Sequence, residues 1–241
     1  VWYDDSHGLW YTDAYPEDAW LAAWRELTWR YLDQPAVVGM DLRNELRSGA
    51  TWGGDPATDW KAAAGRAADE ILAIDDSKLI IVEGIDYGSN LSGVWSDPLT
   101  LSVDGRLVYS AHDYSWFHSR VGSYGDLARD LGSWWGFIIV EDQPYTAPVW
   151  VGEFGTCSTD ATCVAGGSRD GDWFSTFVQY LDAGDIDWCY WPVNGTMARA
   201  DGREYGAVDW YGVLDETWTE PALPELIDAL QAIQDPWAFP E

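Results

Sequence analysis

Short runs of β-branched and aromatic residues recur along the chain, each followed by a stretch with helical spacing. The runs are Val37–Leu42, Leu79–Glu83, Leu107–His112, Val149–Glu153 and Asp187–Trp191. They are too short for buried helices and nearly continuous in apolar character, as strands covered on both faces are. Between them, Asp18–Leu32 repeats Trp20, Leu21, Trp24, Leu27 and Tyr31 at helical spacing, and Asp59–Ile74 is rich in alanine. Gly171–Leu181 presents Trp173, Phe174, Phe177, Val178 and Leu181, and Pro221–Ile233 closes the series with Pro224 in its first turn. Strand and helix in alternation predict βα units on a parallel sheet, hence an α/β fold. Neither an internal repeat nor a low-complexity linker interrupts residues 1–241, so a single domain is expected. A closed barrel needs eight strands, typically in ~250 residues. An open doubly wound sheet manages with five, although no glycine-rich phosphate loop follows the first run. Both architectures stand at this point.

Charge narrows the partners. Lys and Arg number 13 against 41 Asp and Glu, a net charge of −28. A nucleic acid or an anionic membrane surface would be repelled, and no apolar run approaches the ~20 residues of a membrane span. The chain opens on Val1 without a signal-peptide pattern. Cys157 and Cys163 bracket a short polar loop and are expected to form a local disulfide, which, with the acidity, points to a secreted protein. A zinc site would need two further ligands near by, and none is evident. Cys189, inside an apolar run, is expected to be a buried free thiol. The 18 Trp, 13 Tyr and 6 Phe are expected mostly to fill core, although aromatic faces also stack on sugars.

In parallel α/β folds the chemistry gathers beyond the carboxyl ends of the strands. Those ends carry Asn44 and Glu45, Glu83, His112 with Tyr114, Glu153, and Trp191. Retaining cleavage of a glycosidic bond uses two carboxyl groups ~5 Å apart, one as nucleophile and one as acid then base. Glu45 and Glu153 suit those roles jointly. Tyr114 is placed to donate to the nucleophile, Asn44 to hold the hydroxyl beside the reacting carbon, and Trp191 to floor the reacting sugar. Glu83 reads as a structural carboxylate, and His112 taken alone as a structural histidine. Asp41, Asp113, Asp209 and Asp215 are expected on the solvated acidic surface. No Ser-His-Asp arrangement, no G-x-S-x-G and no metal-ligand spacing stands out, so neither a metal nor an organic cofactor is expected.

Four segments resemble glycoside hydrolase family 5 in the right order at βα spacing. Val38–Leu46 resembles its Asn-Glu strand, Leu107–Tyr114 its histidine-x-tyrosine strand, Val149–Gly155 its nucleophile strand and Trp188–Trp191 its last strand. Leu9–Thr12, Gly49–Gly53, Leu79–Ile85 and Tyr211–Leu214 also resemble endoglucanases of that family. The resemblance implies a (β/α)8 TIM barrel to which this chain supplies roughly the last five βα units. It makes Glu45 the acid/base, Glu153 the nucleophile, and Asn44, His112, Tyr114 and Trp191 substrate-binding residues. The implied substrate is a β-1,4-glucan polysaccharide or oligosaccharide. Mannan, xyloglucan or β-1,3-glucan would suit the same mechanism, and a carbohydrate-binding relative without catalysis is the rival reading. Trp52, Trp95 and Trp116 lie in loops where outer sugar subsites are expected. Proline usually follows the Asn-Glu pair in bacterial members, and here Leu46 does. Only 36 residues precede Val37, so the resemblance leads one to expect the family's first strands to be absent from this chain, and His7 to belong either to a stub of strand three or to the loop after it. A separate amino-terminal fragment or a second chain is expected to complete the barrel.

Overall fold

The computed structural model describes residues 8–47, 49–119, 122–199 and 202–234. His7 lies outside the described residues. The chain divides into two compact units: Val1–His112 with Leu131–Trp150, and Asp113–Asp130 with Val151–Glu241.

In the first unit, α1 (Glu17–Arg30) leads to β1 (Gly39–Asp41), α2 (Trp60–Leu72), β2 (Leu79–Glu83) and β3 (Leu107–Asp113). The strands are parallel, with Met40 opposite Ile80 and Val82 opposite Tyr109. The Tyr109 N–H reaches the Pro148 carbonyl, 3.0 Å away, at the head of β4 (Val149–Phe154). Asp59 caps α2, its carboxylate accepting the Ala62 N–H at 3.0 Å. Small side chains let α2 lie close to the strands: Ala63, Ala64, Ala67 and Ala68 are all fully buried. The Trp60 indole, also buried, donates to the Glu83 carbonyl at 2.9 Å and so ties the helix start to the end of β2. On α1 the periodic stripe is only half-covered. Trp20, Leu21 and Trp24 are half-buried, Leu27 is exposed, and Thr28 alone is fully buried. That helix packs on α2 along one flank, where Glu17 accepts from both Arg66 and Trp10. The Arg66 hydrogen bond, more than its charge, holds the Glu17 carboxyl below its ordinary range.

In the second unit, the end of β4 runs parallel to β5 (Trp188–Tyr190), with an irregularity between Val151 and Phe154. The strand order in the sheet thus follows the chain order. Helix α3 (Tyr124–Trp134), for which no helix was expected, starts where Ser123 and Asp126 exchange hydrogen bonds. A one-turn α4 (Thr162–Ala165) precedes α5 (Arg169–Gly184), capped by the Ser168 hydroxyl, and α6 (Pro224–Ala232) comes last. The core of this unit is aromatic: Phe154 lies 5.4 Å from Phe177, which stacks on Trp173 at 4.8 Å. Leu226 and Leu230 of α6 are buried as well.

The expectation that most aromatic rings fill the core holds only in part, as the tryptophans show. Trp10, Trp60, Trp135 and Trp173 are buried, whereas Trp29, Trp95, Trp116, Trp191, Trp210 and Trp218 are exposed. Two further expectations are corrected. Cys189 is a free thiol but an exposed one, because β5 ends the strand order and, among the described residues, no strand pairs along its outer side. Asp113 and Asp209 are buried rather than on the acidic surface, and one carboxyl oxygen of Asp41 is buried too.

Candidate active-site residues

Glu45 sits just beyond β1 with φ at 48°, a left-handed conformation that a residue with a Cβ adopts at a cost. Two neighbours fix its peptide. Its N–H donates to Glu83 Oε2 at 2.7 Å, and its carbonyl accepts from Arg47 Nη1 at 2.9 Å. Its side chain keeps 24% exposure and meets His112, which has 2%, with 3.2 Å between Oε1 and Nδ1. The other imidazole nitrogen, Nε2, lies 3.6 Å from Glu83 Oε1. Glu83, read from the sequence as structural, therefore contacts both partners, and its side chain has the same 2% exposure as the histidine. The His112 N–H donates to the Gly88 carbonyl at 3.2 Å, and a Cβ on Gly88 would stand 2.9 Å from His112 Cγ. Glycine is required there on two counts, since φ is 76°.

Below these groups, desolvation pushes the Asp41 carboxyl up to about 6. The charge of His112, the Arg43 N–H and a hydrogen bond with Glu83 oppose the rise. The Arg43 guanidinium is drawn below its usual value, first by burial and then by Arg47 beside it. Asn44 is exposed.

In the second unit the Tyr114 hydroxyl donates to Glu153 Oε2 at 2.9 Å. Tyr114 is buried, and exposed Trp116 stacks on it, centroids 4.4 Å apart and planes at 9°. The backbone that carries both rings is clamped to the start of α5. Arg169 Nη2 donates to the carbonyls of Ser115 and His118 at 3.2 and 2.7 Å. The Ser115 hydroxyl donates to Asp170 Oδ1, and Tyr211 OH donates to Oδ2 at 2.6 Å. Burial, and then this carboxylate, drive the Tyr211 hydroxyl well above its ordinary value. Asp113 Oδ1 joins His118 Nε2 at 2.7 Å and the Trp173 indole N–H at 3.1 Å. Asp209, the other buried aspartate, accepts the Tyr211 N–H and lies 4.0 Å from Arg203.

Trp191 is 44% exposed just past β5, and its N–H returns to the Phe154 carbonyl at 2.9 Å. A Cβ on Gly155 would lie 2.3 Å from the Trp191 carbonyl, so that residue has to be glycine. Cys157 and Cys163 form the expected disulfide. The outer tryptophans differ. Trp95 is exposed and stacks on Tyr145 at 4.9 Å, whereas Trp52 is half-buried with its indole N–H on the Asp97 carbonyl.

The family profile described as Cellulase (glycosyl hydrolase family 5) matches residues 4–196. An endoglucanase of Paenibacillus polymyxa is 36% identical over 232 residues, covering 88% of this chain and 54% of that protein. The major extracellular endoglucanase of Xanthomonas campestris pv. campestris is 31% identical, covering 88% of this chain and 43% of that protein. The chain thus spans about half the length of the curated relatives it matches. Among solved structures, the catalytic domain of the Xanthomonas enzyme superposes with TM-score 0.77 at 29% identity, covering 94% of this chain and 65% of that one. An endocellulase from Pyrococcus horikoshii, in complex with cellotetraose, gives 0.79 at 27% identity, with 95% and 66% covered. The fold is that of a (β/α)8 barrel, of which this chain supplies five βα units. No helix among the described residues is long and apolar enough to cross a membrane.

Proposed function

The chain belongs to glycosyl hydrolase family 5, and on that footing we propose that it carries the two catalytic glutamates of a secreted endo-β-1,4-glucanase that retains anomeric configuration. The observation that carries the reading is the hydrogen bond from Tyr114 to Glu153. A hydroxyl that donates to a carboxylate favours its ionised form, which is what a nucleophile needs. Glu45, by contrast, faces an imidazole nitrogen and so has a neighbour that can take up or return a proton.

In the proposed reaction a Glu153 oxygen attacks the anomeric carbon while Glu45 gives its proton to the departing glycosidic oxygen. A water oxygen then bonds to the anomeric carbon as Glu45 removes its proton, and the bond from Glu153 to the sugar breaks with the original β configuration restored. Asn44 holds the hydroxyl next to the reacting carbon, and the exposed face of Trp191 supports the sugar ring. Secretion accords with the disulfide and with the extracellular Xanthomonas relative.

The test is hydrolysis of carboxymethyl-cellulose and cello-oligosaccharides by the parent protein, Glu45→Gln and Glu153→Gln, with the first-formed anomer followed by NMR. Each variant should lose at least 10²-fold in turnover, and the parent should release the β anomer first. Undiminished turnover in both variants, or initial release of the α anomer, would overturn the assignment.

A further inference from the structure

We infer that Glu83 is the positioning residue for Glu45, a role that rests on reading Glu45 as the proton donor. Two contacts converge from this one buried side chain. The first is to the main chain. Glu83 Oε2 accepts the Glu45 N–H at 2.7 Å, a short bond to a peptide held at φ 48°. That bond stabilises a conformation which a side-chain-bearing residue otherwise avoids, and it sets the direction in which the Glu45 carboxyl projects.

The second contact runs through His112. Glu83 Oε1 stands 3.6 Å from Nε2, while Nδ1 stands 3.2 Å from Glu45 Oε1. Glu83 and Glu45 therefore flank the imidazole on its two nitrogens and hold the ring in one orientation between them. One buried ring thus bridges the Glu83 carboxyl and the Glu45 carboxyl, and it limits how far the Glu45 side chain can swing. Glu83 is anchored at both ends: its backbone carbonyl accepts the buried Trp60 indole at 2.9 Å, and its carboxyl shares a hydrogen bond with Asp41. The pattern follows the general rule that outer partners fix the orientation of the groups at a working site.

The decisive measurement uses aryl β-cellobiosides whose leaving groups differ in acidity, assayed with the parent, Glu83→Gln and Glu45→Ala. A good leaving group departs without a proton, so a defect in proton donation falls on the poor leaving groups. Glu83→Gln should lose about 10–100-fold in kcat/KM on the phenyl glycoside and less than about threefold on the 2,4-dinitrophenyl glycoside. Its KM should stay unchanged and its melting temperature should stay within a few degrees of the parent. Glu45→Ala should show the same selectivity more strongly, with azide restoring turnover of the activated substrate. Equal losses by Glu83→Gln on both substrates, or none on either, overturn the positioning role while Glu45→Ala still behaves as an acid/base variant. Absence of selectivity in Glu45→Ala itself instead refutes the acid/base reading. Should Glu83→Gln not fold, Glu83→Asp keeps the charge and shortens the reach, and the same selective or unselective outcome decides.

Discussion

Replacing Asp41 with asparagine probes the carboxyl beneath Glu83. Burial raises that group from the usual 3.8 to about 6 in the native protein. The unfolded chain releases the proton near 3.8, whereas the folded chain holds it until about 6. Between those values the native state binds more protons, so stability falls as pH rises and the loss is complete above the folded pKa. About two pKa units at 1.36 kcal/mol each amount to about 3 kcal/mol. Asparagine has no charge to desolvate, and its amide N–H can donate to Glu83. Asp41→Asn is therefore expected to melt close to the parent at pH 3 and above it at pH 8. At 2–4 °C per kcal/mol for a chain of this size, the difference should be about 6–12 °C. Thermal unfolding followed by circular dichroism across pH 3–8 measures it. A difference independent of pH, or one that widens toward acid, would refute the reasoning.

Three other perturbations have definite expectations. Tyr114→Phe removes one hydrogen bond to a charged group, about 1.5–3 kcal/mol; kcat/KM on cello-oligosaccharides should drop about 10–150-fold with the unfolding midpoint little changed. Asp113→Ala removes the acceptor of both His118 Nε2 and the buried Trp173 indole, and at about 1–3 kcal/mol for each lost bond a urea titration should show about 2–6 kcal/mol of lost stability. Cys157→Ser opens a loop closed over a sequence separation of 6, which chain entropy values at about 2–3 kcal/mol. The parent treated with reductant should lose a similar amount, and equal melting temperatures with and without reductant would count against it.

Reading the chain located the five strands of the described residues, and most firmly those with neighbours on both sides. The span of β2 agrees to the residue, and β3 and β4 each run one residue further than expected. The two strands that end the sheet order are shorter than their apolar runs, Gly39–Asp41 within Val37–Leu42 and Trp188–Tyr190 within Asp187–Trp191. A run of β-branched residues marks what can pair, but the paired length depends on a neighbour that the run itself does not encode. Helix α3 went unread because Gly125 and Gly132 dilute its propensity, although Ser123 and Asp126 spell a usable start signal.

The order of residue types at the strand ends, and with it the family, was legible from the chain alone, because strand spacing puts those ends at one edge of a parallel sheet. Where the aspartates went was not. Asp113 and Asp215 look alike in sequence, yet one is buried against His118 and Trp173 while the other accepts hydrogen bonds within an exposed turn. Only the tertiary structure decides such cases, since burying a carboxylate is tolerable just where distant residues supply its hydrogen bonds. Glu83 changed from a bystander to a contact of both Glu45 and His112 for the same reason: 38 and 29 positions of chain separate them, and the sheet removes that separation.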